Sequence, residues 1–252
     1  VESKDILIVL QARTGSTRLP EKVVKPFYEG RSVFSIIAAK LQEAMEHPLV
    51  LATTVNPKDD VLVQMADTMG IPTFRGSEED VLDRFIQCAK SYNKKTIVRI
   101  CCDNPFLDMG LLKELVSAHM DSDADYTSFM DARQTPAIKT HYGIFAEVVE
   151  LETLKRAAGE TDDPFYHEHV TNYIYGHPSS FKIHLLPMPP SLSALEFRLT
   201  LDTQEDWNVL TALYAACNKK YSSFGWRELV NELKNDTHTL EIMQQQIKRF
   251  SK

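Results

Sequence analysis

The chain has 252 residues, 43% of them hydrophobic and 25% charged, with 28 Lys and Arg against 35 Asp and Glu and a formal net charge of -7. That length fits one large domain, or one with a small appendage, and can bury a substantial core. The acidic balance argues against a general nucleic-acid binder, and no apolar run approaches the roughly 18 residues that a membrane span needs.

In chain order, "DILIVLQA" reads as a strand and "SVFSIIAAKLQEAM" has helical spacing. "PLVLATTV" predicts a second strand, followed by a helix from near Asp59 to Gly70 and a short strand at "IPTF". "SEEDVLDRFIQCAKSY" predicts a helix with Ser77 as N-cap and an Asp80–Arg84 pair on its surface. "KTIVRICCD" is a strand and "LDMGLLKELVSAHM" a helix capped by Asp108. "DYTSFM" and "THYGIFAEVVE" predict strands around a Pro-containing turn. "VELETLKRAAG" and "DPFYHEHVTNYIYGHP" each predict one helix. "SFKIHLLPMP" and "EFRLTLD" return to strand character, and helices start near Thr203, Phe224 and Thr237.

Continuous apolar strands alternating with helices call for an α/β fold, a mostly parallel sheet covered on both faces. The less regular second half predicts a smaller β-rich excursion, about 125–190, within a single domain spanning 1–252. Cys88, Cys101, Cys102 and Cys217 show neither C-x-x-C spacing nor a framework pattern, which predicts a reducing cytoplasmic setting without zinc or disulfides. Val1 in place of Met suggests a trimmed start or a tag remnant, and no targeting segment is visible.

The first strand leads into "ARTGSTRLPEK". In open parallel sheets ligands gather at the carboxyl ends of the strands, which is where this loop falls. Arg13 and Arg18 can fork onto phosphate oxygens, Lys22 adds a point charge, Ser16 and Thr17 can donate hydroxyl hydrogen bonds, and Gly15 would let backbone N–H groups approach an anion. The chemistry predicts a polyphosphate, although the sequence is neither the ATPase loop nor the dinucleotide fingerprint. Asp103 and Asp202 each follow a predicted strand, so both fall on the same rim. Two carboxylates beside a polyphosphate suit a hard divalent cation such as Mg²⁺, while each alone could equally cap a helix. No nucleophile triad is visible, and nucleotidyl transfer needs little covalent help from the protein.

"QARTGSTRLPEKVV" resembles the signature of the cytidylyltransferases that activate acidic sugars, the CMP-octulosonate and CMP-sialic acid synthetases, and in particular their spore coat polysaccharide biosynthesis branch. "FRGSEEDVLDRF", "VRICCDNPFLD", "YHEHVTNYI" and "FRLTLDTQEDW" continue the resemblance in family order to about residue 215. It implies a Rossmann-like nucleotide-diphospho-sugar transferase sheet and a Mg²⁺-dependent transfer of CMP from CTP to an acidic sugar for cell-surface polysaccharide. It assigns the triphosphate to Arg13, Arg18 and Lys22, and the nucleotide to Gln11, Ala12, Gly15, Ser16, Thr17, Arg75 and Gly76, with Arg75 on the cytosine. It gives the acceptor region to Glu168, His169 and Thr171 and the metal to Asp103 and Asp202. A homodimer formed through the excursion is implied too. Cys102 departs from the Gly usual before the metal aspartate and places a side chain near it. Another nucleoside triphosphate, a phosphate or phosphonate acceptor, or a non-catalytic nucleotide-binding module are the alternatives that the sequence leaves open.

Overall fold

The computed structural model describes residues 5–250; Val1 lies outside them. Seven strands form one sheet in the order β5-β4-β1-β6-β8-β7-β9. They are β1 (Ile6–Gln11), β4 (Leu49–Thr54), β5 (Thr73–Gly76), β6 (Thr96–Cys101), β7 (Tyr126–Met130), β8 (Glu147–Glu150) and β9 (Ile183–Pro187). β2 (Pro26–Tyr28) and β3 (Arg31–Ser32) make a separate hairpin. Every pairing in the large sheet is parallel except those of β8, which runs against both β6 and β7.

β1 shows why the sheet lies in the middle. Its residues Ile6, Ile8 and Leu10 join one buried cluster, and Leu7 and Val9 join another on the opposite face. Alternating directions of a strand with no polar face require a layer of helices on each side. The first layer comprises α1 (Val33–Ala44), α2 (Asp60–Thr68), α4 (Met109–Met120), α9 (Gln204–Lys220), α10 (Trp226–Asn235) and α11 (Thr237–Arg249). The second comprises α3 (Val81–Ser91), α5 (Leu151–Glu160) and α7 (Asn172–Gly176), with α6 (Pro164–Glu168) packed on α3. A short α8 (Pro190–Ser193) follows β9. The fold is the mostly parallel α/β sheet that the sequence predicts. The excursion adds three of its strands to that same sheet.

Local chemistry sets the helix starts. Ser32 accepts from the Ser35 N–H at 3.1 Å, Asp108 from the Leu111 N–H at 2.8 Å, and Thr203 with Asp206 forms a reciprocal capping box. Asp202 is therefore not the cap of α9, and Asp103 lies in a turn. Ser77 is not the cap of α3: Asp80 is, accepting from the Asp83 N–H, while the Ser77 hydroxyl accepts from the Asp80 N–H one turn earlier.

Four expected elements differ. "IPTF" is displaced to Thr73–Gly76, which pairs with Leu51–Thr54. The helix expected over "DPFYHEHVTNYIYGHP" breaks into α6 and α7 at His169–Thr171, because Thr171 turns its hydroxyl to Glu147 and His167 reaches Asp80. "EFRLTLD" joins no ladder: the Leu199 and Leu201 N–H groups donate instead to the carbonyls of His141 and Asp103. Of "THYGIFAEVVE" only Glu147–Glu150 is strand. Gly143 explains the preceding irregularity, since its φ of 60° is left-handed and a Cβ there would lie 2.6 Å from the Leu199 carbonyl carbon. No helix among the described residues is long and apolar enough to cross a membrane.

Candidate functional site

A cavity of about 850 Å³ opens at the carboxyl ends of β1 and β6. Of the residues singled out in the sequence, Gln11, Arg13, Arg18, Asp103, Asp202, Glu168, His169 and Thr171 line it. They come from segments up to about 190 positions apart, gathered because β1 and β6 are neighbours in parallel register and 197–202 docks across their ends through the Leu201–Asp103 backbone bond.

Lys22 lies behind the cavity wall, buried, and holds the two acids together. Its Nζ is 3.1 Å from Asp103 Oδ2, 3.2 Å from Asp202 Oδ1 and 2.5 Å from the Leu201 carbonyl oxygen. In this arrangement the Lys22 donors are taken by protein oxygens. Arg18 approaches Asp202 Oδ1 at 3.4 Å, and Arg198 donates to Asp202 Oδ2 at 3.0 Å. Burial alone would raise the Asp202 pKa, but Lys22, Arg198 and Arg18 outweigh it and hold the carboxyl below its ordinary value. Burial likewise disfavours the Lys22 charge, and Asp103 and Asp202 together lift its pKa above the usual lysine range.

Arg198 was not legible as a site residue. It is 2% exposed and is itself held by Asp206, whose carboxylate accepts from Arg198 Nε at 2.7 Å and from the backbone N–H groups of Asp202 and Thr203 at 2.9 Å. One acid thus caps α9 and fixes the angle of the neighbouring site aspartate. His141 accepts from Arg198 at 2.6 Å, and Tyr142 points its hydroxyl to the Leu195 carbonyl; neither lines the cavity.

The loop after β1 is fastened by Thr14. Its N–H and its hydroxyl both donate to Asp59 Oδ1 at 2.7 Å, and Thr54 donates to the other oxygen. Burial pushes the Asp59 pKa up, and these hydrogen bonds from Thr54 and Thr14 more than reverse it. Gly15 is not left-handed; the left-handed position is Glu21, φ 59°, whose N–H donates to the Thr14 carbonyl at 3.1 Å. Ser16 receives a long 3.4 Å bond from the Leu19 N–H, and Thr17 is exposed. Ala12 is buried, its N–H on the Ala52 carbonyl.

Arg75 does not reach the cavity. Its guanidinium donates to the carbonyls of Thr54 and Asn56 and pairs with Asp60 at 2.7 Å, so it braces the β4–α2 connection. Gly76 beside it is a close-approach position, where a Cβ would lie 2.9 Å from Arg84 Cγ. The expected Asp80–Arg84 surface pair is also absent: Arg84 is 1% exposed and donates to the Ser77 carbonyl, while Asp80 faces His167 at 2.8 Å.

The second wall is built on a buried network. Arg99 of β6 pairs with Glu147 of β8, its direct cross-strand partner, and donates to Gln11 Oε1 at 3.2 Å. Glu147 also accepts from Tyr126 at 2.5 Å and Thr171 at 2.8 Å. Burial opposes the Arg99 charge, yet Cys101 and Glu147 raise its pKa above the ordinary guanidinium value. Above this floor, Glu168 lies 3.7 Å from Arg13, and Lys139 stands 4.9 Å over the Tyr175 ring with no carboxylate partner among the described residues. Arg99, Glu147 and Lys139 all line the cavity and were missed, because a charge inside an apolar strand or a loop carries no local mark of function.

Two carboxylates converging on one cation make a hard-oxygen pair that fits Mg²⁺, and a polyphosphate would bring further oxygens of the same kind. Cys102, the departure beside Asp103, turns into the core at 2% exposure and leaves that pair undisturbed. His167 is engaged on both ring nitrogens, by Asp80 at 2.8 Å and the Thr161 carbonyl at 2.9 Å.

A family described as Cytidylyltransferase matches residues 7–245. The chain is 37% identical over 223 residues to the spore coat polysaccharide biosynthesis protein SpsF of Bacillus subtilis (strain 168), covering 86% of this chain and 89% of that one. A cytidylyltransferase structure from Leptospira borgpetersenii serovar Hardjo-bovis has a TM-score of 0.82 at 26% identity, over 94% of this chain and 96% of its own. CMP:2-keto-3-deoxy-manno-octonic acid synthetase, solved in complex with CTP, shares the fold with a TM-score of 0.64 at 14% identity, over 84% and 99% of the two chains.

Proposed function

Because the chain belongs to the cytidylyltransferase family, we propose that it transfers CMP from CTP to an acidic sugar of octulosonate or nonulosonate type and releases pyrophosphate. The observation that carries this reading is one cavity in which a cationic loop and two converging acids meet a second wall bearing Lys139, which has no carboxylate partner among the described residues. Arg13 and Arg18 grip the triphosphate as forked donors. The acceptor hydroxyl lies between them and the second wall, attacks the α-phosphorus, and the bond to the β-phosphate oxygen breaks. Asp103 and Asp202 would hold Mg²⁺, which neutralises charge on the transferring and leaving oxygens when bound. The Arg99–Glu147 pair is internally neutral and Glu168 faces Arg13 across the cavity, so Lys139 is the cation of that wall left to meet an anionic sugar.

A pyrophosphate-release assay with CTP, Mg²⁺ and a panel of acidic sugars tests the reading. Turnover is expected with at least one, and Asp103→Asn or Asp202→Asn should lower it by about a thousandfold with the fold retained, the scale of losing a main electrostatic stabiliser. Near-wild-type turnover in either variant would remove that acid from the metal site. Turnover with GTP or UTP but not CTP would replace the nucleotide.

A further inference from the structure

The two acids are not idle in this structure. Three oxygens surround Lys22 Nζ, at 3.1 Å (Asp103), 3.2 Å (Asp202) and 2.5 Å (the Leu201 carbonyl), and an ammonium has three hydrogens to give. Its donor capacity is filled at the place where the acids converge. The side chain is only 10% exposed, against 55% for Arg18 and 39% for Arg13, so of the three loop cations Lys22 alone is withdrawn from solvent.

We propose that Lys22 is the resident counter-ion of the divalent-cation position: in the free protein its ammonium occupies the place between Asp103 and Asp202, and it leaves when metal and nucleotide arrive together. The inference rests on the reading of Asp103 and Asp202 as metal-holding acids. Its physics is competition. A dication drawing on these two carboxylates meets a cation already bound to both, and like charges at such separation repel strongly where water is scarce. Metal alone must therefore displace an ammonium that is bonded to both acids. A triphosphate entering past Arg13 and Arg18 offers that ammonium new oxygen partners, so nucleotide and metal each lower the cost of the other's binding. Such coupling is reciprocal by linkage: CTP tightens the metal by the same factor as the metal tightens CTP.

Lys22 in this view does two jobs in succession. Before binding it keeps two acids from repelling one another and holds the 197–202 segment against β6 through the Leu201 carbonyl. After binding its charge is delivered to the phosphates, at the positions the acids have released. The loop residues Arg13 and Arg18 need no such movement, being half-exposed at the cavity already.

Mn²⁺, followed by its paramagnetic resonance signal, provides a readout independent of catalysis. Wild type, Lys22→Met and Lys22→Gln are titrated with and without CTP, circular dichroism confirming the fold of each. Free wild type should bind Mn²⁺ weakly and gain about tenfold or more with CTP, the usual scale of a coupling free energy. Nucleotide-free Lys22→Met and Lys22→Gln should bind Mn²⁺ about tenfold tighter than free wild type, with the CTP effect largely gone, and adding Asp103→Asn should abolish that gain. Equal Mn²⁺ affinity in nucleotide-free wild type and both variants overturns the proposal. If neither variant folds, Mn²⁺ affinity of the wild type that is indifferent to CTP overturns it. Failure of CTP to bind at all would instead strike the functional reading, while the nucleotide-free comparison still decides the role of Lys22.

Discussion

Lys40 shows how a half-buried charge is tolerated away from the site. Its ammonium stands 5.5 Å over the Tyr214 ring and 5.3 Å over the Phe224 ring, within an aromatic group that includes Phe27 and Phe106. Burial lowers its pKa to about 8, against a smaller opposing pull from Asp108. The folded state therefore holds fewer protons than the unfolded one between about 8 and 10.5, and stability rises with pH across that window. Below it the penalty is constant. Lys40→Met should be more stable than wild type at pH 7, by on the order of 1–2 kcal/mol once the lost ring contacts are deducted, and the advantage should shrink between pH 8 and 10.5. Urea denaturation of both proteins at pH 7 and pH 10.5 measures it; a difference that ignores pH would assign the effect to packing instead of charge. Arg198 is the contrasting case, more deeply buried but surrounded by Asp202, Asp206 and His141, so its charge is held by partners and not by rings.

Among elements, the junction between the loop after β1 and the start of α2 is held by a single carboxylate. Asp59→Ala would strand the Thr14 N–H and the Thr54 hydroxyl and leave the Thr14 hydroxyl only the Lys58 carbonyl, at about 2–3 kcal/mol for buried donors that lose an ionised acceptor. The same change should loosen Arg13 and weaken CTP binding while Lys22, Asp103 and Asp202 keep their contacts. Calorimetric titration with CTP beside a denaturation curve separates the two effects. The elements legible in the sequence are those whose reasons are local: β1, β4 and β6 as continuous apolar runs, α1 through its helical spacing, α4 through its Asp108 cap and α9 through its start at Thr203. Those that differed obey distant partners. The break between α6 and α7 depends on Glu147 and Asp80, 24 and 87 positions away, and the segment 197–202 has strand composition but bonds to a turn and a loop. The site divides the same way. Arg13, Arg18 and Asp103 were readable because a motif and the end of β6 place them on one rim, and Asp202 because its segment has strand composition although no strand forms there; the pairs Asp59–Thr14, Arg99–Glu147 and Arg198–Asp206 lie 45, 48 and 8 positions apart and no local pattern signals them.

For the whole molecule, a net charge of -7 coexists with a cavity whose loop carries Arg13 and Arg18, so the attraction for polyphosphate is local and should weaken with salt. Ligand binding to the folded state alone raises stability by mass action, about 2.7 kcal/mol at a hundredfold excess over Kd. In a chain of this size that is a rise in Tm of roughly 5–10 °C. Thermal unfolding with CTP, UTP, GTP and ATP in Mg²⁺ should show that rise for CTP; a larger one for another nucleotide would change the base, leaving the fold assignment intact. The reversed strand β8 has a further consequence. Since β7 leaves the sheet at the same rim where β8 enters it, the fifteen or so residues linking them must overhang that rim, and they carry Lys139 and Gly143 with them. An open sheet edge becomes a basin whose far bank is one exchangeable ribbon. Lengthening, shortening or recharging that ribbon would reshape the second wall without altering the bank that carries Arg13, Arg18, Asp103 and Asp202.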